Sequence, residues 1–182
     1  MIEATRKKLR EAGFFLRQLI EEESRIQRLP EPEARDFYLS AFLSAGRSVG
    51  DFINAEEGAR YREWFAERRR ALSDDERELL ELTKDQRIQS VHVAGPNVQS
   101  NVTRVSMYEL QREIEQRGGS LEIHPGGVPG SPLPMPEIDR TTLSFSRRPD
   151  FTVSEVCGRY FELLGRLLIE YEQFVGDHPS AA

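Results

Sequence analysis

Apolar residues recur at helical spacing along most of this chain, and the first such stretch runs from Glu3 to about Arg28. One apolar face repeating every three or four residues predicts an amphipathic helix that packs against other elements. Pro30 ends this helix, because proline lacks the backbone N–H that the helix interior requires. Pro32 suits the first turn of the next helix, which we expect to run to about Asn54.

The second predicted helix carries one continuous apolar stripe for a protein core. Its members lie three or four residues apart: Tyr38, Phe42, Ala45, Val49 and Phe52. Ala41 and Gly46 are small, so we expect a neighbouring helix to approach closely here.

A polar stripe follows a different face of the same helix, formed by Ser40, Ser44, Arg47 and Asp51. Two interpretations are open. The stripe is either a solvent face or a buried Arg47–Asp51 ion pair at i, i+4, or it is one wall of a binding or catalytic site.

A short arginine-rich helix is predicted after Gly58. Its basic residues are Arg60, Arg62 and the run Arg68–Arg70. Such a run is typical of a solvated helix face, and contact with a phosphate is the alternative.

Capping patterns mark the remaining two main helices. Ser73 with Glu76 predicts the start of the third main helix, and Gly95-Pro96 predicts its end. Thr152 with Glu155 predicts the start of the last helix. That helix has the clearest apolar stripe: Val153, Val156, Tyr160, Leu163, Leu167, Tyr171 and Phe174.

Residues 97–150 have a different character. Val98–Val105 and Thr141–Ser146 alternate as strands do, and Ser106 is placed to cap a short helix. Residues 125–136 are too rich in proline and glycine for a regular element, so we expect an exposed loop there.

These elements predict a mainly α protein. We expect 1–182 to form a single domain, built as a four-helix up-and-down bundle. Residues 97–150 form a small α/β insertion before the last helix, with two or three short strands, one helix and the Pro/Gly-rich loop.

Composition narrows the class of protein. The chain has 182 residues, a net charge of −6 and one cysteine, Cys157, so a disulfide framework and a multi-cysteine zinc site are excluded. The acidic balance argues against non-specific coating of nucleic acid. A charged N-terminal segment and the lack of a long apolar run favour a soluble cytoplasmic protein with no membrane contact. The sequence indicates no metal ligands and no cofactor motif.

Candidate chemistry rests on Arg87 and His92, spaced Arg-x-x-x-x-His near the end of the third main helix. The segment Arg87–His92 resembles the motif of the HEPN superfamily, all-helical proteins that carry Arg-x4–6-His. The second-helix segment Tyr38–Val49 is similar to one in uncharacterised bacterial relatives of that group.

The resemblance implies a metal-independent endoribonuclease of toxin or defence type. Two motifs would meet across a homodimer, with RNA as substrate and an antitoxin or another protein as partner. Arg87 would bind the phosphate and His92 would act as acid or base. We add Arg47 as a supporting cation, with Ser44 and Asp51 beside it on the polar stripe.

Other interpretations stay open. Five residues along an intact helix rotate a side chain by about 140°, so Arg87 and His92 diverge unless the helix ends between them or a dimer unites them. Ile88 stands where catalytic members often have a polar residue, and Arg87 is also placed to pair with a buried carboxylate. The alternative function is a non-catalytic HEPN-like module that binds a protein or nucleotide through the polar stripe or the loop at 125–136.

Overall fold

The computed structural model describes residues 2–24, 32–92, 97–116 and 137–178. The helices are α1 (Glu3–Ser24), α2 (Pro32–Glu57), α3 (Ala59–Ala71), α4 (Asp74–His92), α5 (Met107–Gln116) and α6 (Val153–Asp177). The strands are β1 (Val98–Ser106), β2 (Glu137–Phe145) and β3 (Arg148–Thr152). The prediction of a mainly α protein is confirmed. Within these ranges, no helix combines the length and apolar character needed to cross a lipid bilayer.

The chain divides into two compact units. The first comprises Met1–Gln99 and Ser144–Ala182, and the second is Ser100–Leu143. The second unit falls inside the segment 97–150 that the sequence pattern separates from the main helices. The Pro/Gly-rich segment 125–136 lies outside the described residues, as do the predicted helix ends at Arg28 and Gly95.

The three predicted capping boxes are all present. The Glu76 backbone N–H donates to Ser73 Oγ at 3.2 Å, and the Ser73 N–H donates to the Glu76 carboxylate at 2.9 Å. Ser106 with Glu109 starts α5 in the same reciprocal way, and Thr152 with Glu155 starts α6. Each box satisfies two backbone or side-chain donors at a helix start, which is why these sequence signals locate the helices well.

The strands form one antiparallel sheet in the order β1-β2-β3. The end of β2 pairs with β3, with Ser144 opposite Thr152 and Phe145 opposite Arg148. The sequence pattern does not predict β3, because most of its residues are polar and one is Pro149. Ion pairs hold it instead: Arg148, whose side chain is 11% exposed, contacts two carboxylates of α4 at 2.7 Å each.

The helical core of the first unit is formed mainly by α1, α2, α4 and α6. Its largest fully buried side chains include Leu19, Leu39, Phe42, Leu43, Leu82, Val153, Val156, Cys157 and Tyr171. The expected core position of Phe52 is wrong, since this side chain is 38% exposed and lies under the Lys8 ammonium. Ile53, only 2% exposed, continues the α2 stripe in its place.

α3 has no fully buried residue. It follows Gly58, whose φ of 61° is strained for any other L-residue. On its inner side, the Tyr61 ring packs edge-on against Tyr171 with centroids 5.3 Å apart. Arg68 donates two hydrogen bonds to the Glu170 carboxylate, at 2.6 and 2.8 Å. Aromatic contacts and ion pairs therefore position α3 against α6.

Helices α2 and α6 approach closely at Gly46. A Cβ atom at this position would lie 2.8 Å from Cε1 of Tyr160, closer than packed carbon atoms approach. The Tyr160 ring is 6% exposed and also contacts Phe42 edge-on, with centroids 6.1 Å apart. The expectation from the small residues of α2 is confirmed at this position.

We expect Gly46→Ala to destabilise the protein by about 1 kcal/mol or more. The added methyl overpacks the Tyr160 contact, a cost of typically about 1–3 kcal/mol, which exceeds the gain of up to about 1 kcal/mol in helix propensity. Gly158→Ala in α6 is the matched control, because a Cβ there meets no heavy atom within 4 Å. Urea unfolding should show the control unchanged or more stable. A Gly46→Ala variant as stable as the control would contradict the close contact.

Tyr160 also predicts a pH dependence. Burial raises the pKa of its phenol to about 12, against a smaller lowering by a hydrogen bond with Thr83. Between pH 10 and 12 the unfolded chain releases this proton while the folded chain retains it, so the free energy of unfolding falls as pH rises. We expect Tyr160→Phe to reduce that fall by about 1 kcal/mol at pH 11. The check is urea unfolding from pH 7 to 11. The free energies of unfolding of wild type and variant should run parallel with pH below pH 9, and above it the wild-type value should fall more steeply. Curves that stay parallel to pH 11 would show that Tyr160 titrates normally.

Candidate functional site

A cavity of about 410 Å³ lies between α2, α3, α4 and α6, one turn along α2 from the Gly46 contact. We call it the arginine-rimmed cavity. Its hydrophobic lining residues are Ile53, Tyr61, Phe65, Ala66, Leu80, Leu164, Leu167 and Leu168. Small-molecule sites typically measure about 300–1,000 Å³ and combine a mostly apolar wall with a few polar groups. This cavity has the corresponding size and wall.

The polar and charged lining residues are Arg47, Asp51, Asn54, Arg62 and Arg69. Helical spacing brings them together, because side chains three, four or seven residues apart share a face. Arg47, Asp51 and Asn54 thus extend from one side of α2, and Arg62 and Arg69 extend from one side of α3.

Arg47 and Asp51 form the ion pair that one interpretation of the polar stripe predicts, with Nη2 and Oδ1 3.5 Å apart. Their side chains are 50% and 56% exposed, so the pair is not buried. An exposed pair of this kind stabilises a helix by only about 0.3–0.5 kcal/mol. Both residues also line the cavity, as the other interpretation requires.

The remaining members of the polar stripe serve packing. The Ser90 hydroxyl of α4 donates to the Ser40 hydroxyl at 2.6 Å. Ser44 is partly buried, and its backbone carbonyl accepts a hydrogen bond from the Ser48 hydroxyl. The stripe therefore packs on α4 at Ser40 and opens into the cavity at Arg47 and Asp51.

The two α3 arginines have different partners. Arg69 forms an ion pair with Glu81 of α4. Arg62 donates to the neutral amide oxygen of Asn54 at 3.1 Å, and no ion pair joins it to a carboxylate in the described part of the chain. Arg62 is thus a cation at the cavity rim whose charge lacks a direct counter-charge.

Tyr61 lines the same space. Burial raises the pKa of its phenol well above the ordinary value, more than the nearby Arg47 guanidinium lowers it. The hydroxyl therefore stays protonated at neutral pH and remains available both to donate and to accept a hydrogen bond.

Arg87 and His92 both lie on α4, which continues without a break from Asp74 to His92. The helix does not end between them, so about 140° of rotation still separates their directions within one chain. The His92 side chain lies outside the described part of the structure. Since the helix does not end between the two residues, a second subunit is the remaining way to bring them together.

Arg87 is partly buried, and its Nε has no hydrogen-bond partner among the described residues. No ion pair in that part of the chain joins it to a carboxylate. The described residues therefore do not show the alternative in which Arg87 pairs with a buried carboxylate.

The sequence pattern does not indicate Asn54 as a site residue. It places Arg62 and Arg69 among the basic residues of α3, where a solvated face is the first interpretation of the arginine run and phosphate contact the alternative. The signal that would have found the α3 residues is the seven-residue spacing of Arg62 and Arg69, which places both on one side of that helix. No group of three or more His, Cys, Asp or Glu side chains is arranged to hold a metal ion within the described ranges.

No protein-family model matches the chain, and neither the curated proteins nor the solved structures contain a match.

Proposed function

We propose that this chain is a binding module for a small anionic molecule, held in the arginine-rimmed cavity. The observation that carries the proposal is the charge of the lining. Three arginines and one aspartate give the lining a net charge of +2, or +1 when Glu81, the ion-pair partner of Arg69, is included, in a chain whose net charge is −6. A concentration of positive charge above an apolar wall attracts and orients an anion that also has an apolar part.

The proposal uses the polar stripe as one wall of a site, with Arg47 and Asp51 contributed by α2. Guanidinium groups bind carboxylates and phosphates through two parallel hydrogen bonds. A nucleotide is one ligand class with suitable charge, and other phosphates and carboxylates share the same anionic chemistry.

Blocking the cavity tests this proposal. Gly50 lines it, and a Cβ there meets no heavy atom within 4 Å, so Gly50→Phe places a ring in open space. Nucleotides, phosphates and carboxylates would be screened by thermal unfolding against wild type and variant. A ligand at 100 times its Kd stabilises the folded state by about 2.7 kcal/mol, a rise in Tm of several degrees. We expect at least one class to give this rise with wild type and none with Gly50→Phe.

Gly158→Phe is the matched control, since Gly158 also has no heavy atom within 4 Å of a Cβ but lies outside the cavity lining. It should keep the wild-type ligand response. A screen with no active anion, or a rise in Tm that survives Gly50→Phe, would overturn the binding proposal.

A second candidate is the metal-independent endoribonuclease, in a cytoplasmic HEPN-like bundle that acts as a homodimer on RNA and is held in check by an antitoxin or another protein. Arg87 favours it, because this guanidinium has no carboxylate partner in the described part of the chain and is chemically suited to a phosphate. The dimer is part of the proposal, since α4 alone directs Arg87 and His92 apart.

The ribonuclease proposal predicts that the purified protein cleaves single-stranded RNA in EDTA. His92→Ala and Arg87→Ala should each lower the cleavage rate about 100-fold or more, the usual contribution of a positioned acid–base group. Arg70→Ala, which removes an exposed arginine of α3, should cut at the wild-type rate. RNA left intact by wild type, or equal cutting by all three variants, would contradict catalysis by this pair.

A further inference from the structure

The arginine-rimmed cavity is chemically divided. Its cationic groups lie on α2 and α3, whereas α6 contributes only Leu164, Leu167 and Leu168. These three leucines are between 6% and 8% exposed, so they form an apolar floor. A ligand that fills the space must therefore have a charged end and an apolar body.

The rim has one strong anchor for the charged end. Arg62 donates to the Asn54 amide, a neutral acceptor, at 3.1 Å. A ligand carboxylate in place of that amide forms a charge-assisted bond, roughly twice as strong as a neutral one. Arg69 is less available, because Glu81 already supplies it with a carboxylate.

The apolar part of the cavity has almost no group that could form hydrogen bonds with the edge of a nucleotide base. Besides the leucines it has Ile53, Leu80 and Phe65, and its one polar tip is the Tyr61 hydroxyl. A purine or pyrimidine buried there would leave its ring nitrogens and exocyclic groups without partners, at a cost of about 1–3 kcal/mol for each group. An alkyl chain has no such groups and gains about 0.8 kcal/mol for each buried CH₂.

We propose that the ligand of this cavity is an amphiphilic carboxylate with an aliphatic body. The carboxylate binds Arg62 at the rim, and the aliphatic chain lies on the α6 leucines. This inference rests on the proposed binding function and specifies the ligand class within it.

Decanoate, decanol and adenosine monophosphate are the probes, measured by isothermal titration calorimetry on the full chain. Decanoate should bind best. Decanol has a chain of equal length and no charge, and it should bind about tenfold more weakly, because the bond to Arg62 is lost. Adenosine monophosphate should bind more weakly than decanoate, because its base lacks partners on the floor.

Two arginine variants test the anchor. Arg62→Gln should weaken decanoate binding about tenfold and leave decanol unchanged. Arg70→Gln removes the same charge from α3 at an exposed position outside the cavity lining, so it should weaken decanoate less than twofold. Circular dichroism and thermal unfolding would establish that both variants fold.

The outcomes separate this inference from the proposed function. Equal affinity for decanoate and decanol, or equal loss in the two arginine variants, would overturn the role of Arg62. Tighter binding of adenosine monophosphate, abolished by Gly50→Phe, would overturn the amphiphile and leave the binding function standing. No probe and no other anion bound in the cavity would overturn both.

Discussion

The contact of Gly46 with the Tyr160 ring is the constraint on which the approach of α2 to α6 depends. It fixes how near α2 and α6 lie, and it places the Tyr160 hydroxyl beside Thr83 of α4. Three helices thus meet at one buried phenol. Arg47, the next residue of α2, and Gly50, one turn further along, already line the cavity. The tight packing at Gly46 and the cavity beyond it thus lie at successive turns of α2, on the side that faces α6.

Ionic and aromatic contacts complete the frame where aliphatic packing is sparse. Arg148 joins β3 to two acidic residues of α4, and Arg68 joins α3 to Glu170 of α6. Such pairs are directional, so they fix the position of polar segments that a hydrophobic stripe cannot hold. They also explain why a helix and a strand with little apolar surface have defined places against α6 and α4.

Sequence patterns located most elements because helix starts depend on local chemistry. The Ser73 and Thr152 caps are reciprocal bonds within four residues, so the sequence contains both partners. The strand β3 depends on Arg148 meeting carboxylates some seventy residues away, which no local pattern records. The predicted burial of Phe52 is wrong for a related reason. Whether Phe52 or Ile53 is buried depends on which neighbouring helix faces them.

The residues of the candidate site divide in the same way, into those that the local sequence predicts and those that depend on distant contacts. The polar stripe of α2 identified Arg47 and Asp51, because helical period alone places them on one face. Arg62 lies at the rim only because of where α3 is held beside α2 and α6, which the Gly58 turn and the contact of Tyr61 with Tyr171 help to determine. The spacing of Arg87 and His92 can be read from the sequence. Because α4 is intact between them, their side chains would converge only across a homodimer.

The lack of any buried residue in α3 has a consequence for local stability. A segment that buries few apolar groups opens at a lower free energy than the whole domain unfolds, so we expect α3 to open before the helices that form the core. The same helix supplies two of the three arginines of the cavity. A ligand bound in the cavity as proposed would therefore raise the amide hydrogen-exchange protection of α3.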